Sequence, residues 1–200
     1  MAYSDFTLNS VIKTFSLTLT ERVGLFAGIP ELKGSSLLKE LLDYNLPLAL
    51  GSNTEKARSE LLISPVLIDL RKQLQNKISW FSGIEFSVAP ARGLNGSCDF
   101  IISRSPELFI VRSPVIVIVE AKKENINGGL GQCVAEMLAA KIFNEQEENE
   151  VQTIYGAVTT GTNWKFLKLT GEVIEIDTGE YFLNDVDSIL GILASGINNN

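Results

Sequence analysis

Histidine is absent from all 200 residues of this chain. A Ser-His-Asp triad, a Cys-His dyad and an imidazole-ligated zinc are therefore excluded. Proton transfer near neutral pH is left to carboxylates, lysine, tyrosine, water or a bound metal. Cysteine is almost as scarce. Cys98 and Cys133 form no CxxC pair and are too few for a disulfide framework or a thiolate metal site. They read as small buried hydrophobes, which suits a reducing cytoplasm. No apolar run reaches the ~18 residues that a membrane span needs. The opening MAYSDFTLNS shows neither the basic region nor the apolar region of a secretion signal, so the expected location is cytoplasmic.

Positive charge is also in short supply overall. The net charge is −7, against a protein whose whole surface grips nucleic acid. Its distribution is uneven. Ten basic residues face six acidic ones between Lys56 and Lys123, while the rest of the chain holds seven basic and eighteen acidic residues. Either chance or a locally basic face accounts for this, and such a face would contact phosphate without strong non-specific binding. The apolar content of 45% suits a globular domain with a sizeable core.

The periodicity alternates between helix and strand. Asp5 is a candidate N-cap for a short helix within residues 6–26. Ser35-Ser36 opens a helix through LLKELLDY, with Asn45 and Pro47 as its stop. Thr54 caps a longer one from Glu55 to Gln75, where Leu62, Ile63, Val66, Leu67, Leu70 and Leu74 recur at three- and four-residue steps. Pro65 inside it predicts a kink or a short initial segment. ISWFSGIEFSV and CDFIIS then read as strands. VIVIVEA, with five consecutive β-branched residues, reads as a central strand covered on both faces. Gly128, Gly129 and Gly131 predict a break before a helix from Gln132 to Phe143. TIYGAVTT, WKFLKLT and EVIEID predict three further strands, and 185–193 a closing helix. Residues 198–200 read as a frayed end. Trp80 and Trp164 read as core or sheet-face aromatics. The expectation is an α/β fold, with residues 1–50 a helical extension packed on a core of residues 51–200.

Three charged groups sit where strands ought to be apolar. Asp99 opens CDFIIS, and Glu120 and Lys122 end VIVIVEAKK. Side chains two apart on a strand share a face, so Glu120 and Lys122 project together. Such groups are costly at the end of a buried strand without partners or a ligand. The alternatives are a turn at Asp99 and a surface ion pair at Glu120 and Lys122.

Asp99 followed by Glu120-Ala121-Lys122 resembles the PD-(D/E)xK nuclease superfamily, and TEKARSELLISPVL…GSCDF…VIVEAKK is most similar to the N-terminal nuclease domain of type I restriction subunits. The resemblance spans residues 54–145, with strands that complete it to about residue 176. It implies a restriction-endonuclease-like α/β/α sandwich with a central mixed β-sheet. It also implies Mg²⁺- or Mn²⁺-dependent hydrolysis of DNA. By this resemblance Asp99, Glu120 and the Ala121 carbonyl are metal ligands. Glu60, on the inward face of the upstream helix, is a further ligand direct or through water. Lys122 orients or deprotonates the attacking water, and Gln132 positions a ligand or the lysine. Cys98 stands where the family usually has proline. Glu60 as a solvated helix residue and Gln132 as a helix-start residue are the competing readings. A catalytically silent member that binds nucleic acid or a partner is the rival function. A homodimer or a partner subunit is compatible with either.

Overall fold

The computed structural model describes residues 1–198; Asn199 and Asn200, part of the expected frayed end, lie outside the described residues. The elements are α1 (Leu8–Phe15), β1 (Thr18–Arg22), α2 (Ser36–Ser52), α3 (Glu55–Arg58), a π-helical turn (Ser59–Ile63), α4 (Ser64–Gln73), β2 (Ser79–Glu85), β3 (Ser97–Ser103), β4 (Val115–Ala121), α5 (Ile126–Gln146), β5 (Thr153–Thr159), β6 (Asn163–Thr170), β7 (Val173–Asp177), β8 (Tyr181–Phe182) and α6 (Val186–Asn198). The strands form one sheet in the order β1-β7-β6-β5-β4-β3-β2, with β8 beside β6. It is mixed: β4–β5 and β1–β7 are parallel, and the other pairs are antiparallel.

Helices cover both faces. One core cluster joins β4 residues Val117 and Val119 to α2, α4 and α6 through Leu38, Leu67, Leu70, Ile189 and Leu193. The other joins Val115 and Ile118 to α5 and α1 through Val134, Met137, Leu138 and Val11. This two-sided burial is why β4 reads as an unbroken apolar run: all seven of its residues are buried. The N-terminal stretch is more than helical, because Thr18–Arg22 forms β1 on the sheet's edge beside β7.

Several local expectations are corrected. Asp5 lies in a 3₁₀ turn, accepting from the Ala2 amide, and the cap of α1 is Thr7. The helix from Ser36 runs through Asn45 and Pro47 to Ser52. Asn45 is held there by a job at a neighbouring helix. A regular helix would offer the Leu61 carbonyl to residue 65, which is a proline with no N–H. Asn45 Nδ2 donates to that carbonyl instead, at 2.9 Å. The chain around Pro65 relaxes into a wide turn in which the Ser64 amide reaches back to the Ser59 carbonyl. The glycines after β4 do not break the helix: α5 starts at Ile126, capped by Asn125, and contains all three. They permit close approach. A Cβ on Gly131 would lie 2.3 Å from the Thr7 carbonyl carbon and 2.4 Å from the Phe6 oxygen.

Trp164 is fully buried and stacks on Phe166, while Trp80 tilts against Phe100. Both cysteines are free and buried. Among the described residues, no helix is long and apolar enough to cross a membrane.

Candidate functional site

The centre of the site is a cross-strand pair. β3 and β4 run antiparallel with Phe100 opposite Val119. One residue further in the same register, Asp99 faces Glu120 on the same side of the sheet. The β2–β3 ladder lapses at this level. Ser82 and Ile84 are paired while Gly83 between them, at φ +60°, is not. Asp99 takes up a bond from the other side, accepting from the Ala121 amide at 2.8 Å. Two carboxylates directly opposite each other repel, so stability alone does not select this pair.

Glu120 is completely buried. Its Oε1 is in close ion-pair contact with Lys122 Nζ, and its Oε2 has no hydrogen-bond partner. Lys122 also donates to Gln132 Oε1 at 3.3 Å, and Gln132 Nε2 donates to Glu136 Oε1 at 3.0 Å. Glu136, one turn along α5, is fully buried, and its Oε2 is again without a partner. A polar line thus runs from Asp99 through Glu120, Lys122 and Gln132 to Glu136, between β3, β4 and α5.

Burial sets the electrostatics. Removal from water, reinforced by the Asp99 carboxyl, pushes the Glu120 pKa up to about 8 in spite of the opposing Lys122 ammonium. Burial works to lower the lysine, but the neighbouring Glu120 outweighs it and holds Lys122 above its ordinary value. Glu136 is raised well above the usual carboxylate range, first by burial and then by Glu120.

The residues expected from the sequence divide unevenly. Asp99, Glu120, Lys122 and Gln132 come together, and Glu120 and Lys122 share a face. Glu60 does not lie on the inward face. Its side chain is 61% exposed and pairs with Lys56 Nζ at 3.2 Å. The wide turn from Ser59 to Ile63 advances each residue by less than 100°, which swings Glu60 off the stripe that Ile63 and Leu67 occupy. It lines a recess of about 220 Å³ with Glu55, Lys56 and Asp99. Two residues were missed. Glu136 is signalled by its position in the otherwise apolar run CVAEMLAA. Glu55, whose charge acts on Lys122, carries no sequence signal beyond its place at a helix start.

Asp99 and Glu120 offer hard oxygen donors, the type that a divalent cation such as Mg²⁺ takes. Two facing carboxylates, one of them fully buried, match the few protein oxygens that Mg²⁺ takes while retaining several waters. Among the described residues, no three histidine, cysteine or acidic side chains form a group that could hold a metal ion. Comparison of the chain with known families, characterised proteins and solved structures yields no match.

Proposed function

We propose that this protein is a metal-dependent nuclease of the restriction-endonuclease-like class, hydrolysing DNA phosphodiester bonds. One observation carries the reading: Asp99 and Glu120 face each other across β3 and β4 with the Lys122 ammonium held against Glu120. The mixed sheet covered on both faces is compatible with the α/β/α sandwich implied by the resemblance.

Asp99 and Glu120 would hold Mg²⁺ or Mn²⁺, with the Ala121 carbonyl as a further oxygen and Glu60 lining the recess beside Asp99. When bound, such an ion supplies charge neutralisation at the phosphate and a water of lowered pKa. Lys122 offsets negative charge and orients the attacking water. Gln132 positions Lys122, and Glu136 fixes the Gln132 amide, its own carboxyl held above the usual carboxylate range by burial.

The test is incubation with plasmid, linear and single-stranded DNA in Mg²⁺ or Mn²⁺. Cleavage should require the metal and fall by about 10²-fold or more in Lys122→Ala. Cleavage that survives the substitution, or none at all with any of the three DNAs, would reject the enzyme. The complete enclosure of Glu120 favours one rival, a silent nuclease fold that binds nucleic acid or a partner. Calorimetric titration with Mn²⁺ separates the two. An active site binds the ion and loses it in Asp99→Ala, whereas a silent fold shows no Asp99-dependent heat.

A further inference from the structure

A second cavity adjoins this site. It encloses about 400 Å³ and is lined by Arg58, Lys123, Thr160, Thr162 and the first residues of α5. The backbone ties it to the catalytic strand, since the Lys122 amide donates to the Thr159 carbonyl at 2.8 Å, one residue before Thr160.

Arg58 is its unusual member. It is 8% exposed, yet its guanidinium meets only neutral acceptors: Nη1 donates to the Thr160 carbonyl at 2.9 Å and Nη2 to Asn53 Oδ1 at 3.4 Å. Its Nε has no acceptor, and no carboxylate pairs with it among the described residues. A buried cation in this state is expensive unless an anion completes it. The acids that line the cavity are otherwise engaged. Glu124 pairs with Lys123 at 3.7 Å, and Glu180 accepts from Asn163 Nδ2 at 3.1 Å.

The start of α5 adds partial positive charge to the lining. α5 is 21 residues long, and the Asn125 side chain caps the Gly128 amide at 3.0 Å. The amides of Ile126 and Asn127 remain without an intrahelical acceptor, at the positive end of the helix dipole. Guanidinium, helix N-terminus and threonine hydroxyls together form a phosphate-binding environment.

We propose that this cavity is a phosphate subsite, holding a phosphate of the nucleic-acid strand next to the one cleaved. The inference rests on the nuclease reading for its source of phosphate, and the chemistry of the cavity stands without it. Two sources share that chemistry, an internal phosphodiester and a terminal phosphomonoester.

The first arm needs no variant and no metal. Inorganic phosphate, titrated into the ¹⁵N-labelled protein, should shift the amides of Ile126, Asn127 and Thr160–Asn163 with saturation. Sodium chloride at equal ionic strength should not. Equal shifts with chloride, or none at these amides, overturn the subsite. The second arm measures anisotropy of a fluorescent DNA duplex, with and without a 5′-phosphate, in Ca²⁺. Arg58→Gln and the exposed Lys123→Ala should each weaken binding several-fold and reduce the salt slope by about one. Loss confined to the phosphorylated duplex assigns the terminal group, and equal loss assigns an internal one. Thermal melts check that Arg58→Gln is folded, and Lys123→Ala decides if it is not. Unchanged affinity and slope in the folded variants overturn the proposal. Phosphate binding without DNA cleavage keeps the subsite and removes the nuclease. Cleavage with no phosphate-induced shift keeps the nuclease and removes the subsite.

Discussion

At the scale of single residues, Glu120 and Glu136 give the molecule a pH signature. Both carboxyls titrate above their unfolded values, chiefly through burial. A group with a raised folded pKa binds more protons in the native state than in the unfolded one. Its contribution is complete below the unfolded pKa and is lost as pH rises through the folded one. For Glu120 that window runs from the ordinary glutamate value of 4.5 to about 8. The metal-free protein should therefore lose stability across it, as read by urea denaturation at a series of pH values. Glu136→Gln should flatten the slope and raise the alkaline melting temperature, because the amide cannot ionise. A stability that climbs over this range would contradict the assigned protonation. Metal binding should show the opposite trend. Glu120 must be deprotonated to act as a ligand, so Mn²⁺ affinity should rise toward pH 8 and release protons on binding.

At the scale of elements, most of what positions the site was legible in the sequence. The β-branched run gave β4, and the charges interrupting apolar strands marked Asp99, Glu120 and Lys122. At two places a local breaker yields to tertiary contact. Pro47 stays inside α2, whose Leu38, Leu42 and Ala49 are buried in the core. Gly128, Gly129 and Gly131 stay inside α5, where small size matters more than backbone freedom. Glu60 leaves the stripe that a regular period predicts because the π turn interrupts that period. The glycine account has a direct consequence. Gly131→Ala would set a methyl against the backbone of Phe6 and Thr7, and overpacking of this kind costs about 1–3 kcal/mol. Urea midpoints with unchanged m-values would verify this. A neutral or stabilising effect would mean that the glycine is not there for close approach.

At the scale of the whole molecule, the N-terminal residues bear on how the chain divides. Tyr3, Phe6 and Val11 are buried in the same cluster as Val134 and Ile118, and the Tyr3 hydroxyl donates to the Phe86 carbonyl. The charge pattern of residues 1–50 contains no sign of this, because long-range packing leaves little imprint on a short amphipathic stretch. Removal of residues 1–17 should uncover apolar surface on α5. The truncated chain should bind a hydrophobic dye and melt earlier and less cooperatively than the intact one. A sharp melt at the intact protein's temperature would show that this stretch is dispensable.

The pairing of β1 with β7 also has a temporal side. Thr18 sits opposite Val173, and the nearby Gly24 amide is fastened to Asp177 Oδ1 at 3.1 Å across a separation of 153 residues. During synthesis β1 emerges before β2–β6 and waits through all of them before its neighbour β7 exists. Closing so long a loop is paid in entropy before any contact returns it. The last edge of the sheet thus forms late and slowly compared with the local β3–β4 and β5–β6 pairs. Until they meet, β1 and β7 each present an unpaired edge, and strand-to-strand aggregation is favoured in that interval.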